Sequence, residues 1–132
     1  MQRFVLAFCA MLAAAPAAFA YECEDQTQSG LNACAETAYH KADAALNNVY
    51  KQVIRRLKDD APTAKLLMTA QKAWIDYRDA ECEFSSSGVI GGSLYPMTLA
   101  ICHEAVTARR TRELGEYLKC GKGDAGCPVP AP

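Results

Sequence analysis

From residue 31 onward, apolar positions recur every three or four residues, the repeat that lines one face of a helix. The first run takes in Leu31, Ala35, Ala38, Ala42, Ala45 or Leu46, Val49, Val53 and Leu57, and predicts one long amphipathic helix. It ends at Asp59-Asp60-Ala61-Pro62, where Asp60 can cap a following helix and Pro62 fits its first turn. The second run is Leu66 or Leu67, Ala70, Ala73 or Trp74, Tyr77, Ala80 and Phe84, and it stops in Ser85-Ser86-Ser87-Gly88, residues that favour turns. A loop from Ser85 to Ser93 follows, with Val89 and Ile90 held between glycines. The third helix is expected from about Pro96 through Met97, Ala100 or Ile101, Ala108, Thr111, Leu114 and Leu118, until Gly121, Gly123 and Gly126 break it. The closing Pro128-Val129-Pro130-Ala131-Pro132 reads as a frayed tail.

No such helix can bury its apolar stripe alone, and the short link at Asp59 to Pro62 turns the second helix back along the first. No alternating run flanked by hairpin turns competes with this reading. The expectation is an all-α fold, a small disulfide-stapled antiparallel bundle of three main helices.

The staples come from the cysteines. Residues 1–20 read as a cleavable signal peptide, with Arg3, an apolar run from Phe4 to Ala15, and small residues at Ala18 and Ala20. A lipid anchor on Cys9 fits poorly, because Phe8 is bulky and Cys9 lies early in the apolar run. Beyond the leader stand Cys23, Cys34, Cys82, Cys102, Cys120 and Cys127, an even set that reads as disulfides in an exported domain. The helical layout favours pairing neighbours: Cys23 with Cys34, Cys82 with Cys102, Cys120 with Cys127. Loops of this size contribute roughly 2 to 3 kcal/mol each in the chain-entropy picture. Residues 21–119 then form the helical domain and 120–132 a disulfide-closed flexible tail, in a periplasmic or secreted protein.

Charge narrows the function. Loss of Arg3 with the leader moves the formal net charge from -1 to -2, far from the basic balance of a nucleic-acid binder. No later stretch reaches the roughly 18 uninterrupted apolar residues of a spanning helix. A zinc site from Cys102, His103 and His40 lacks ligand spacing, and export favours oxidation of the thiol, so neither metal nor cofactor is expected. Both histidines read as surface residues, and no signature of nucleophilic catalysis accompanies them. Without a nucleophile, metal cluster or phosphate loop, an enzyme is not expected. Gln71, Trp74 and Arg78 share one side of the second helix, either as an interaction face or as structure: Trp74 a core anchor, Arg78 reaching Asp43 or another acid. The structural reading is preferred, and Tyr77 and Asp79 are placed with it. Asp76, Asp79, Glu81 and Glu83 make this stretch acidic.

Several motifs together resemble the LprI-type lysozyme inhibitor family: Cys34 to Tyr39, Ala42-Asp43 with Leu46-Asn47 and Tyr50, Gln71-x-x-Trp74-x-x-Tyr77-Arg78-Asp79-x-x-Cys82, Gly91-Gly92-Ser93 with Pro96-Met97, and Cys102 with Thr107, Arg110 and Leu114. The resemblance implies a small secreted or periplasmic helical domain that blocks lysozyme or another cell-wall hydrolase by protein–protein contact. The chain departs from the lipoprotein form of the founding member in its ordinary leader, and Cys120 and Cys127 lie outside the shared pattern. The first candidate for a plug is the loop, through Ser87, Val89, Ile90, Gly91, Gly92 and Ser93, since a braced loop loses little entropy on docking. Val89 and Ile90 either fill a sugar subsite of the target or fold back onto the bundle end. The alternative function is a periplasmic structural or interaction module that binds another envelope component. The oligomeric state stays open.

Overall fold

A computed structural model describes residues 23–132. The signal peptide expected over residues 1–20 and the Cys9 question lie outside them. Three helices follow one another: α1 Gln28–Arg56, α2 Ala61–Ser85 and α3 Tyr95–Tyr117, with a single 3-10 turn at Ser87–Val89 between α2 and α3. Their ends are chemically marked. Thr27 caps α1 by accepting from Gly30 N–H, and Arg55 and Arg56 sit in its last turn, where the helix dipole favours cations. Asp60 caps α2 by accepting from Thr63 N–H at 3.1 Å, with Pro62 in the first turn, as the sequence predicts.

The chain runs up, down and up again. α1 and α3 pack closely and parallel: Asn32 Nδ2 donates to Ser93 O at 3.2 Å near one end, the Tyr39 and His103 rings meet at 5.0 Å, and Leu118 packs on Val53 and Leu57 near the other. α2 runs against both, joined to α3 by the Cys82–Cys102 disulfide and lying wider from α1. Disulfides also link Cys23 with Cys34 and Cys120 with Cys127. The core is thin and comes mainly from α1 and α3, through Ala35, Leu46, Val53, Ala100, Val106 and Leu114. A core of this size makes covalent staples valuable.

Two expectations need correction. The apolar stripe assigned to the inner face of α2 does not point inward: Leu66, Tyr77 and Phe84 are 70%, 53% and 76% exposed, and Ala70, Ala73 and Ala80 are exposed with them. The face turned inward instead carries Gln71, Arg78 and Cys82, all buried, with Leu67 and Trp74 half-buried. The Cys82–Cys102 bond fixes the rotation of α2, and the Arg78 ion pairs reinforce it. The second correction concerns the C-terminal end. Val129 is 4% exposed and joins Val53 and Leu57 in the core, with Leu67, Leu118 and Cys127 packed around them. The Cys120–Cys127 bridge turns the chain back, so the segment expected to fray lies docked at Val129.

Candidate functional site

Two regions concentrate unusual chemistry, and the Cys82–Cys102 bond separates them. On its inner side lies Arg78. This residue is only 7% exposed, with Nε donating to Asp79 Oδ1 at 2.8 Å and Nη1 3.6 Å from Asp43 Oδ1 on α1. It also stands over two rings, 5.5 Å from the Tyr39 centroid and 5.4 Å from that of Trp74. Arg110 of α3 repeats the arrangement one step along: 5.9 Å from the Trp74 ring, Nε donating to Gln71 Oε1 at 3.1 Å, and Nη1 donating to Glu113 Oε2 at 3.1 Å. Thus α2 meets its neighbours through arginines, aromatic rings and carboxylates where an apolar seam was expected.

The ring of His103 closes this cluster. Its Nε2 is buried, 3.7 Å from Asp79 Oδ1 and outside hydrogen-bonding distance of any partner among the described residues. Burial lowers its pKa, the Arg78 charge lowers it further, and Asp79, Glu36 and Glu83 oppose the shift. His103 is therefore not the surface residue expected, while His40 is exposed and pairs with Glu36. Burial likewise raises the Tyr39 phenol above its ordinary pKa, against the pull of Arg78. Cys102, once a conceivable zinc ligand, is held in its disulfide. Arg78 and Arg110 each reach one partner on a neighbouring helix, Asp43 and Gln71, and one on their own, Asp79 and Glu113, so the cluster ties α2 to α1 and α3.

On the outer side lies the loop. Ser86 is buried at its entry, and Ser87 to Val89 make one 3-10 turn in which Ile90 N–H donates to Ser87 O. Gly92 N–H donates to Val89 O, and Tyr95 N–H to Gly92 O, so the backbone is tied turn by turn into α3. Gly91 adopts φ +80°, a conformation that L side chains rarely take. Ser93 O accepts from Asn32, which fastens the loop to α1 as well. The two apolar residues diverge: Val89 is half-buried and Ile90 is 65% exposed, with Leu94 exposed beside it in sequence. Ser87, Gly91, Gly92 and Ser93 are all exposed. Leu94 escaped the sequence reading because it sits outside any helical stripe.

Comparison with known proteins bears on both regions. The sequence model of the family described as "Lysozyme inhibitor LprI" matches residues 22–114. The chain belongs to the lysozyme inhibitor LprI family. An uncharacterised protein of Rhizobium meliloti (strain 1021) is 39% identical to it over 104 residues, covering 70% of this chain and 75% of that protein. The uncharacterised protein YecT of Escherichia coli (strain K12) is 32% identical over 69 residues, 46% of this chain and 43% of that one. Among solved structures, a DUF1311 family protein of Pseudomonas putida KT2440, at 25% identity, covers 70% of this chain and 91% of its own with a TM-score of 0.63. The LprI match contains the whole Arg78 cluster and the loop, whereas the Cys120–Cys127 bridge and the docked Val129 lie beyond it. Among the described residues, no helix is long and apolar enough to cross a membrane.

Proposed function

We propose that this LprI-family chain is exported and blocks a lysozyme by protein–protein contact, with the loop from Ser85 to Ser93 as the inserting element. The observation that supports this reading most is the exposure of Ile90, at 65%, on a backbone braced by the Cys82–Cys102 bond, a 3-10 turn and the Asn32 hydrogen bond. A stiff loop that presents an apolar side chain loses little conformational entropy on docking, which is what plugging a substrate cleft requires. The hydroxyls of exposed Ser87 and Ser93 supply donors near Ile90 for the carboxylates of a muramidase cleft. Export fits the three disulfides, which form in oxidising compartments. The inhibitor itself performs no chemistry in this reading.

The test is inhibition of goose-type and chicken-type lysozymes by the oxidised protein, beside an Ile90→Asp variant and a reduced control. Ile90 is exposed, so the variant retains helicity and thermal stability while losing inhibition. An Ile90→Asp protein that inhibits as well as the parent removes the loop from the interface. Absence of inhibition of either enzyme by the parent overturns the lysozyme reading.

A further inference from the structure

The apolar stripe of α2 that the bundle leaves uncovered is an ordered seam. Leu66, Ala70, Ala73, Tyr77, Ala80 and Phe84 follow spacings of four and three in strict alternation, so that Leu66, Ala73 and Ala80, and Ala70, Tyr77 and Phe84, each recur every seven residues, the spacing of a heptad seam. At about 100° per residue all six fall within a sector of roughly 80°, and the seam is about 27 Å long. All six are exposed, led by Phe84, Leu66 and Tyr77. A 3.5-residue repeat is the pattern that keeps one helix against another over its length, since it holds knobs facing holes. Scattered exposed apolar residues need no explanation, but a register of this kind does.

We propose that this face of α2 is the interface of a two-fold symmetric dimer in which α2 of one protomer lies antiparallel to α2 of its partner. The order of side-chain sizes selects a second copy. With the two-fold axis between Ala73 and Tyr77, each Tyr77 ring lies over the Ala73 position of the other protomer and Ala70 meets the Ala80 position. Leu66 then meets the Phe84 position at both ends. The three alanines let the helix axes approach, and each large residue meets a small one or an end pair. An isologous contact of this kind is self-complementary.

The area fits a weak dimer. An aromatic side chain covers about 150 to 250 Å² when buried, and Phe84 and Tyr77 expose 76% and 53% of theirs. With Leu66 and the alanines, each protomer contributes at most roughly 500 to 600 Å², and the pair about 1,000 to 1,200 Å², the size of a weak, reversible dimer. Of the charges that flank the seam, Asp76, beside the axis, is paired with Lys72 of its own helix at 3.3 Å, and Glu83 is exposed beside Phe84. The seam is distinct from Ile90 and the loop, so the dimer does not depend on the lysozyme reading.

Sedimentation velocity on the oxidised protein up to a few hundred micromolar tests the proposal, with Ala73→Lys and Tyr77→Glu as variants at exposed positions. The parent is expected to dimerise, and each variant alone to weaken the dimer by about tenfold or more. An equimolar mixture of the two variants should recover a heterodimer, because antiparallel pairing sets the introduced lysine against the introduced glutamate and leaves the other Ala73–Tyr77 site intact. A parent that stays monomeric overturns the proposal, as does a dimer that survives both substitutions. Loss in each variant without recovery in the mixture overturns the antiparallel register. Loss of lysozyme inhibition in Tyr77→Glu, with no dimer in the parent, assigns the seam to the enzyme and likewise overturns it; Ile90→Asp should leave the dimer unchanged.

Discussion

Arg78 of α2 and Asp43 of α1 face each other between the two helices, Nη1 to Oδ1 at 3.6 Å, with the Arg78 side chain 9% exposed and that of Asp43 40% exposed. The two partners are unequal. Arg78 keeps Asp79, Tyr39 and Trp74 if Asp43 is lost, whereas Asp43 is open enough for water to replace Arg78. Asp43→Ala should therefore cost at most about 1 kcal/mol, in the range of exposed ion pairs. Arg78→Ala removes a stem packed between two rings as well as the charge, and should cost about 2 to 4 kcal/mol. Urea unfolding of both variants checks the order; equal losses would mean that the Asp43 contact carries most of the energy.

His103 makes stability depend on pH. Its pKa in the folded protein is lowered by burial first and by Arg78 second, so the unfolded chain takes up the proton more readily. Its contribution is fully present above the unfolded value of about 6.5 and is lost as pH falls below that toward the folded pKa. The melting temperature should fall between about pH 7.5 and pH 5, and His103→Gln should flatten this part of the profile. A His103→Gln protein with the same slope would place the titration elsewhere.

The docked C-terminal end should contribute measurably. Val129 fills a site against Val53 and Leu57, and its removal uncovers both. Truncation after Cys127 is expected to cost about 1.5 to 3 kcal/mol, the value of burying one aliphatic side chain. Val129→Asp should cost at least as much, because it also buries a charge. Amide exchange at Val53 and Leu57 should accelerate in both variants. Unchanged protection there would mean that the tail rests on the surface.

The Gly91 turn bears on loop shape more than on the fold. A Cβ at Gly91 meets nothing within 4 Å, so only the φ of +80° resists substitution. Gly91→Ala should cost about 1 kcal/mol of strain and re-aim the neighbouring Ile90. The expected result is a nearly normal melting temperature with weakened lysozyme inhibition, read from thermal melts and muramidase assays on the same sample.

Much of this molecule is determined by its linear pattern. The 3.6-residue repeat, the Asp60 cap, Pro62 and the serine–glycine stop mark the three helices, because these signals act within a few residues of themselves. Cysteine spacing along successive helices leads to the pairings the structure contains, since neighbouring staples are the shortest. The rotation of α2 was decided only in three dimensions. Periodicity locates the stripe Leu66 to Phe84 but carries no information on what covers it, and the Cys82–Cys102 bond together with Arg78 turned a more polar face inward. Val129 was hidden for a similar reason: a lone valine among prolines has no period, and its burial depends on the Cys120–Cys127 turn and a site left between Val53 and Leu57. His103 became a half-buried neighbour of Arg78 only because α3 runs parallel to α1, which brings its ring against Tyr39. Local chemistry sets which residues form helices, and the rotation of each helix follows from distant contacts that no short stretch of sequence contains.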